Sequence, residues 1–344
     1  MPLKKLTVHI SQDHAGLRLD QALFLTLPPR IDRPLSKAQI RKLIMAGAVY
    51  LNGKRIRIAS KELRAHARVD VYLDWEKLTF SLQKQGSSFV MTESHVLFED
   101  DDLIVVDKPP GLPTQPTLDE ARENLFAAVQ KFLKKREPTS KQPPYLGLHH
   151  RLDRDTSGVV LFTKTQRANP GVAELFSTHQ IQKTYQALCS FPKTGSRDQA
   201  QELLRTLPPH WEVKNYLGKV SQGSKKAKFG AVRSGGSWAH TEFKLLERLG
   251  LPGKEAFWVQ AQPKTGRTHQ IRVHLSEGGT PILGDEAYGG RQVLSSVEVP
   301  RLLLHAADLT FAHPIYHNRL SIQSPLPEDF IQCLSAHREG GSGF

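Results

Sequence analysis

From residue 96 onward, strand-type and helix-type patterns interleave without a fixed period, and this limits the fold more than any other feature of the chain. "VLFEDDDLIVVDKPPG" reads as strand, acidic turn, strand and a Pro-Pro-Gly stop. "NLFAAVQKFLKK" and "ANPGVAELFSTH" carry the apolar spacing of amphipathic helices. "KTYQALCSF", "FWVQAQP" and "LLLHAADLTF" read as strands. A doubly wound sheet would alternate strand and helix regularly. This chain does not, so the expected fold class is α+β.

A smaller unit precedes that region. "LRLDQALFLTL" puts Leu19, Ala22, Leu23 and Leu27 on one helical face and stops at Pro28-Pro29. "SKAQIRKLIMAG" runs from a Ser36 cap to Gly47, and "AVYLNGKRI" reads as strand, Asn-Gly turn, strand. The expected domains are 1–80, a polar linker at 81–95, a main domain at 96–335 and a flexible tail at 336–344. Within the main domain, about 194–240 is rich in Gly, Ser and Lys and reads as a basic insertion, an exposed loop or a β-excursion.

Charge bears on partners. Residues 1–80 hold fifteen Lys/Arg against seven Asp/Glu, a net of +8 out of the chain's +13. A protein this basic suits a polyanionic partner. Cys189 and Cys333 form no C-x-x-C pair, which gives no support to a disulfide framework or a zinc site. No apolar run reaches membrane-spanning length and the first residues lack a signal-peptide core, so a cytoplasmic protein with no membrane partner is expected.

Three stretches could carry chemistry. In "GLHHRLDRDTSGVVLFTK", carboxylates and arginines crowd Arg151 to Asp155 just before an apolar run. Alone, this also reads as a surface salt-bridge cluster. An ionised Asp there could ligate metal, act as a base or attack carbon. No second cluster has metal-ligand spacing, so no metal is expected. In "QPKTGRTHQIRVHL", Arg267, His269, Gln270, Arg272 and His274 are interspersed with Ile271, Val273 and Leu275. That suits either a basic solvated face or recognition of an anion on a half-buried segment. In "KTYQAL", Tyr185 is a core strand residue or a stacking platform for a base. No complete G-x-S-x-G, phosphate-loop or dinucleotide fingerprint occurs.

Taken in order, these stretches resemble the RluA family of pseudouridine synthases. "HRLDRDTSG" is similar to the family's signature around its catalytic aspartate, "KTYQAL" to its tyrosine motif and "TGRTHQIRVHL" to its basic motif. "VVDKPPGL", "PILGDEAYG" and "LLLHAADLTFAHP" resemble further family segments, so the likeness spans about 96–315. "RLDQAL" with "SKAQIRKLIMAGAVYLNGKRI" resembles an S4 RNA-binding domain. One departure is Gln115-Pro116, where the family commonly has His-Pro.

The resemblance implies a pseudouridine synthase-type mixed sheet with flanking helices, plus a small S4-like α+β domain. It also implies RNA as partner, ribosomal RNA of the large subunit ahead of transfer RNA, no cofactor, and a monomer. Asp153 would be the nucleophile at C1′ of a uridine, through a covalent acylal or a glycal. Tyr185 would stack on the uracil. Arg267 would pair with Asp153 and keep it charged. Ile271 would form an apolar wall, while Arg151 and His150 would contact RNA around the extruded nucleotide. Lys37, Arg41, Lys42, Lys54 and Arg55 would bind RNA from the S4-like unit. Two rivals are a catalytically inactive RNA-binding protein, which predicts loss of one of these groups, and a hydrolase acting at a sugar, which would want a second placed carboxylate.

Overall fold

The computed structural model describes residues 4–27, 31, 35–73, 89–116, 123–139, 142–191, 206–220, 228–249, 256–294 and 297–339. Contacts divide the chain into two units, 1–90 with 116–123, and 91–115 with 124–344.

In the first unit, strands β1 (Lys4–His9), β2 (Val49–Leu51), β3 (Lys54–Ile56) and β4 (Arg68–Leu73) form an antiparallel sheet in the order β1-β4-β2-β3. Helices α1 (Leu19–Thr26) and α2 (Lys37–Ala46) contact each other beside it. The Ser36 side chain accepts the Gln39 N–H, a capping box, and Gly47 closes the helix in the left-handed region. Asn52 and Gly53 both take positive φ, 47° and 78°, as a two-residue hairpin turn requires. Leu19, Ala22, Leu23, Ile40 and Ile44 are buried with Val49, Val69 and Val71. Asp20 is buried among them. Burial opposes its charge, but Arg41 and then Arg18 outweigh it and hold the carboxyl below its usual range.

The second unit is built on one large mixed sheet. Its strands are β5 (Val96–Glu99), β6 (Leu103–Lys108), β7 (Gly147–Leu148), β8 (Ser157–Thr163), β9 (Gln182–Ser190), β10 (His210–Lys219), β11 (Phe229–Ala231), β12 (Ser237–Leu249), β13 (Ala256–Pro263), β16 (Leu304–Ala312) and β17 (Arg319–Gln323). A separate two-stranded ribbon joins β14 (Val293–Leu294) to β15 (Val297–Glu298). The main order is β11-β10-β12-β13-β9-β16-β8-β6-β5, with β17 on β16 and β7 on β8. All pairs are antiparallel except β16 with β8. Helices α3 (Leu125–Arg136), α4 (Asn169–Ser177), α5 (Gln270–Glu277) and α6 (Glu328–Glu339) flank it.

Every residue of β8 is buried, as expected of a strand covered on both faces. Its four apolar residues, Val159 to Phe162, contribute roughly 1.5–3 kcal/mol each as an upper bound, enough to fix the loop before it. Gly158 (φ +112°) sits where β8 meets β16; a Cβ there would lie 2.2 Å from the Ala306 carbonyl oxygen. Only glycine permits that approach.

Of the segment expected as a basic insertion, 206–220 and 228–240 supply β10, β11 and the start of β12, so much of it is sheet. Residues 194–205 and 221–227 lie outside the described residues, as do 81–88 of the expected linker. The expected tail begins too early: α6 continues to Glu339, and 340–344 lie outside the described residues.

Candidate active site

The loop between β7 and β8 carries Asp153 and is anchored at four points. The Thr114 hydroxyl donates to the Leu152 carbonyl (2.8 Å) and accepts the Leu152 N–H (3.1 Å). The His150 Nε2 accepts the Leu161 N–H at 2.8 Å, and its ring stacks on Phe176. The Thr156 N–H donates to the Asp153 carbonyl. Lys108 is fully buried, and its Nζ donates to the carbonyls of Pro109, Leu112 and Arg154 at 2.8–2.9 Å. Three carbonyls take all three ammonium hydrogens. Burial lowers this pKa to about 7, opposed by Asp155 and Asp153.

Asp153 faces a cavity of about 540 Å³ that Arg151, Tyr185, Arg267, His269 and Ile271 also line. The arginine on the carboxylate is Arg272, not Arg267. Arg272 Nη1 donates to Asp153 Oδ2 at 2.9 Å, while its Nε and Nη2 grip the buried Asp285 at 2.7 and 2.8 Å. Burial opposes the charge on Arg272, but Asp285 and then Asp153 outweigh it and raise its pKa. The guanidinium also lies 5.0 Å from the Tyr288 ring centroid. Arg267 is exposed at the rim, and its Nε donates to the Trp238 carbonyl at 2.9 Å.

The difference has a local cause. "TGRTHQIRVHL" is a turn followed by α5, with His269 in the left-handed region (φ 57°, ψ 20°) as its N-cap. Buried Gln270 ties this start to the sheet, accepting from the Thr265 hydroxyl and the Arg267 N–H and donating to the His240 carbonyl and Thr241 Oγ1. The left-handed step turns Arg272 towards Asp153. Ile271 is buried at the cavity wall.

Tyr185, on β9 between Ala261 and Ala306, is partly buried. Burial and then the Asp153 charge push its phenol pKa up, so it is a neutral ring there. Arg151 is exposed at the cavity. His150 also lines the cavity; its Nε2 is committed to the backbone, and burial, then Lys183, lowers its pKa to about 3. Arg154 pairs with its neighbour Asp155.

On the first unit, Lys37 and Lys54 are exposed, with Lys37 Nζ 5.2 Å from the Phe24 ring centroid. Arg55 is exposed and donates to the Tyr50 hydroxyl. Arg41 is half-buried, and its Nε is held by Asp20 at 2.7 Å. The Lys42 side chain lies outside the described residues. One trio of metal-ligand type occurs among the described residues, Glu212, His240 and Glu242, away from this cavity; Lys214 and Lys264 already pair with its carboxylates.

Sequence reasoning placed Arg272 and His269 in a polar set suited to anion recognition but gave neither a place at Asp153, and it gave Asp285, Tyr288 and Lys108 no role. "PILGDEAYG" and "VVDKPPGL" stood out only as likenesses. The local signals for Arg272 were that polar set on a half-buried segment and its place beside Ile271 and Leu275, four apart as on a helix.

The description RNA pseudouridylate synthase matches residues 102–277, and the S4 domain matches residues 34–69. Ribosomal large subunit pseudouridine synthase C of Yersinia pestis is 33% identical over 97% of this chain and 96% of its own length. Ribosomal large subunit pseudouridine synthase D of Haemophilus influenzae is 28% identical over 98% and 96%. Among solved structures, Human RNA Pseudouridylate Synthase Domain Containing 4 aligns with a TM-score of 0.53 at 26% identity, covering 70% of this chain and 92% of that one.

Proposed function

Since this chain belongs to the RNA pseudouridylate synthase family, we propose that it isomerises uridines of large-subunit ribosomal RNA, with Asp153 as the nucleophile. The observation that carries the assignment is the asymmetry of the Asp153 carboxylate. Arg272 takes Oδ2, while Oδ1 has no protein partner among the described residues, and Asp153 lines the cavity together with Tyr185 and Ile271.

Oδ1 attacks C1′ as the C1′–N1 bond breaks, in the manner of a carboxylate at an anomeric carbon. The Arg272 charge keeps the carboxylate ionised. Tyr185 stacks on the freed uracil while it turns. C5 then bonds to C1′, Asp153 leaves, C5 loses a proton and N1 gains one. Nothing is added or removed, so the reaction itself consumes no cofactor. The uridine must first leave its stack at a cost of a few kcal/mol, which phosphate contacts from a basic protein offset. Exposed Arg151 and Arg267 at the cavity, with Lys37, Lys54 and Arg55 on the S4 unit, supply cations for that role.

The relatives' names support the large ribosomal subunit as substrate. Cysteines that are free and buried suit a reducing cytoplasm, and no helix among the described residues is long and apolar enough to cross a membrane. The protein acts as a monomer in this account.

The test is a pseudouridine map of ribosomal and transfer RNA after depletion, with rescue by wild type and by Asp153→Asn. The expected result is a large-subunit ribosomal site restored by wild type alone, with RNA affinity retained in the variant. A site lost only from transfer RNA overturns the substrate, and rescue by Asp153→Asn overturns the nucleophile.

A further inference from the structure

Asp153 Oδ2 faces a second nitrogen. His269 Nε2 lies 3.7 Å from it. The other ring nitrogen, Nδ1, is 2.8 Å from the Tyr288 hydroxyl oxygen. That oxygen in turn accepts the Phe229 N–H of β11 at 3.1 Å. The hydrogen bonds fix where the ring proton sits. A backbone N–H can only donate, so it occupies a lone pair of the Tyr288 oxygen. Tyr288 is neutral, since burial raises its phenol pKa. Its single hydrogen has no acceptor other than His269 Nδ1 among the described residues. Nδ1 therefore accepts, and the neutral imidazole carries its proton on Nε2.

We propose that His269 is a positioning residue for Asp153, locked by Tyr288 in the tautomer whose Nε2–H faces the nucleophile's bound oxygen. The opposite tautomer would turn a lone pair on the carboxylate and repel it. With Arg272 on Oδ2 and the Nε2–H poised at the same oxygen, Oδ1 is left as the oxygen that attacks. At 3.7 Å the N–H does not yet make a hydrogen bond; the contact closes as substrate enters, as hydrogen bonds at reaction centres commonly do. The backbone supports the assignment. His269 is held at φ 57°, a region unfavourable for a residue with a Cβ, and that conformation places the ring between Tyr288 and Asp153.

Burial lowers the His269 pKa, opposed by Asp153, while Arg272 lowers it, Asp285 raises it and Arg151 lowers it. Lys228, 5.7 Å from the Tyr288 ring centroid, adds a further positive charge nearby. The imidazole is accordingly neutral, as the tautomer argument needs.

The proposal rests on Asp153 being the nucleophile. The experiment uses full-length protein labelled with nitrogen-15 at histidine, and unmodified large-subunit ribosomal RNA transcribed in vitro. Imidazole nitrogen spectra should show His269 protonated on Nε2 in the wild type and a mixture of tautomers in Tyr288→Phe, which keeps the buried ring under Arg272. Turnover should fall about tenfold in Tyr288→Phe with KM unchanged, the low end of the loss when a partner that orients a histidine is removed. His269→Asn, which tolerates the left-handed backbone and still accepts from Tyr288, should fall as far because it lacks the outer nitrogen. A wild-type spectrum with the proton on Nδ1 overturns the lock. Wild-type turnover in Tyr288→Phe and His269→Asn, beside an inactive Asp153→Asn, overturns the positioning role alone. An active Asp153→Asn overturns the nucleophile assignment and this proposal with it.

Discussion

At the scale of single residues, the site turns on which arginine meets Asp153. Arg272 bridges two carboxylates with a planar guanidinium, and no other side chain can reproduce that fork. Arg272→Lys should therefore cut single-turnover pseudouridine formation on the order of a hundredfold, because one ammonium cannot hold both Asp285 and Asp153 in register. Arg267→Ala should cost about tenfold or less, acting on RNA affinity through the loss of one phosphate-class cation. Single-turnover rates at limiting and at saturating RNA check the contrast, the Arg267→Ala loss vanishing at saturation and the Arg272→Lys loss persisting; an Arg267→Ala loss that survives saturation would mean that the resting geometry reverses in the complex. Asp153 and Tyr185 stood out in sequence because the short motifs around them resemble those of the family; their local pattern alone left a surface salt-bridge cluster and a core tyrosine open. Arg272 was not legible as the partner of Asp153: its direction depends on the left-handed step at His269, and nothing in "GRTHQIR" marks that residue as the turning point.

At the scale of elements, two neutral histidines tie the pieces of the candidate site to the sheet. His150 fastens the Asp153 loop to β8. His274 fastens α5, with Nδ1 on Thr241 Oγ1 of β12 and Nε2 on Asn215 Oδ1 of β10. Burial, with Lys183 for one and His240 for the other, lowers their pKa values from 6.5 to about 3 and about 4. The unfolded chain then binds protons that the fold excludes. Their contribution to stability is full above pH 6.5 and is lost as pH falls towards 4 and 3. Denaturant unfolding at pH 7, 6 and 5 should show the second unit weakening with an uptake approaching about two protons. His274→Gln should flatten that slope; an unchanged slope would show that His274 does not contribute. The helices, strands and the Asn-Gly hairpin were legible from periodicity and turn chemistry. The strand character of 210–219 and 229–231 was legible only as one of two readings, a loop or a β-excursion, because β10 and the edge strand β11 mix exposed charge with aromatic residues, which blurs the apolar alternation.

At the scale of the whole molecule, charge and domain assignment converge. The S4 match falls within the stretch that carries +8 of the +13 net charge. Structure sorts those cations. Lys37, Lys54 and Arg55 are exposed, whereas Arg41 is held by buried Asp20. Replacing Lys37, Lys54 and Arg55 together by Ala should lower the slope of log affinity against log salt by about two to three, one contact each, when binding to ribosomal RNA is titrated from low to physiological salt. A slope that does not move would place the phosphate contacts elsewhere. By itself, the sequence determined the α+β class, the two-part organisation and a basic charge suited to a polyanionic partner. These follow from local periodicity, turn residues and net charge, which act over a few positions or over none in particular, whereas Asp153 and Tyr185 stood out as candidates through the family resemblance. Only the tertiary structure decided what Asp153 touches. Its partner lies 119 residues away, on a helix aimed by one left-handed residue, and the chain's path sets that meeting rather than any spacing along it.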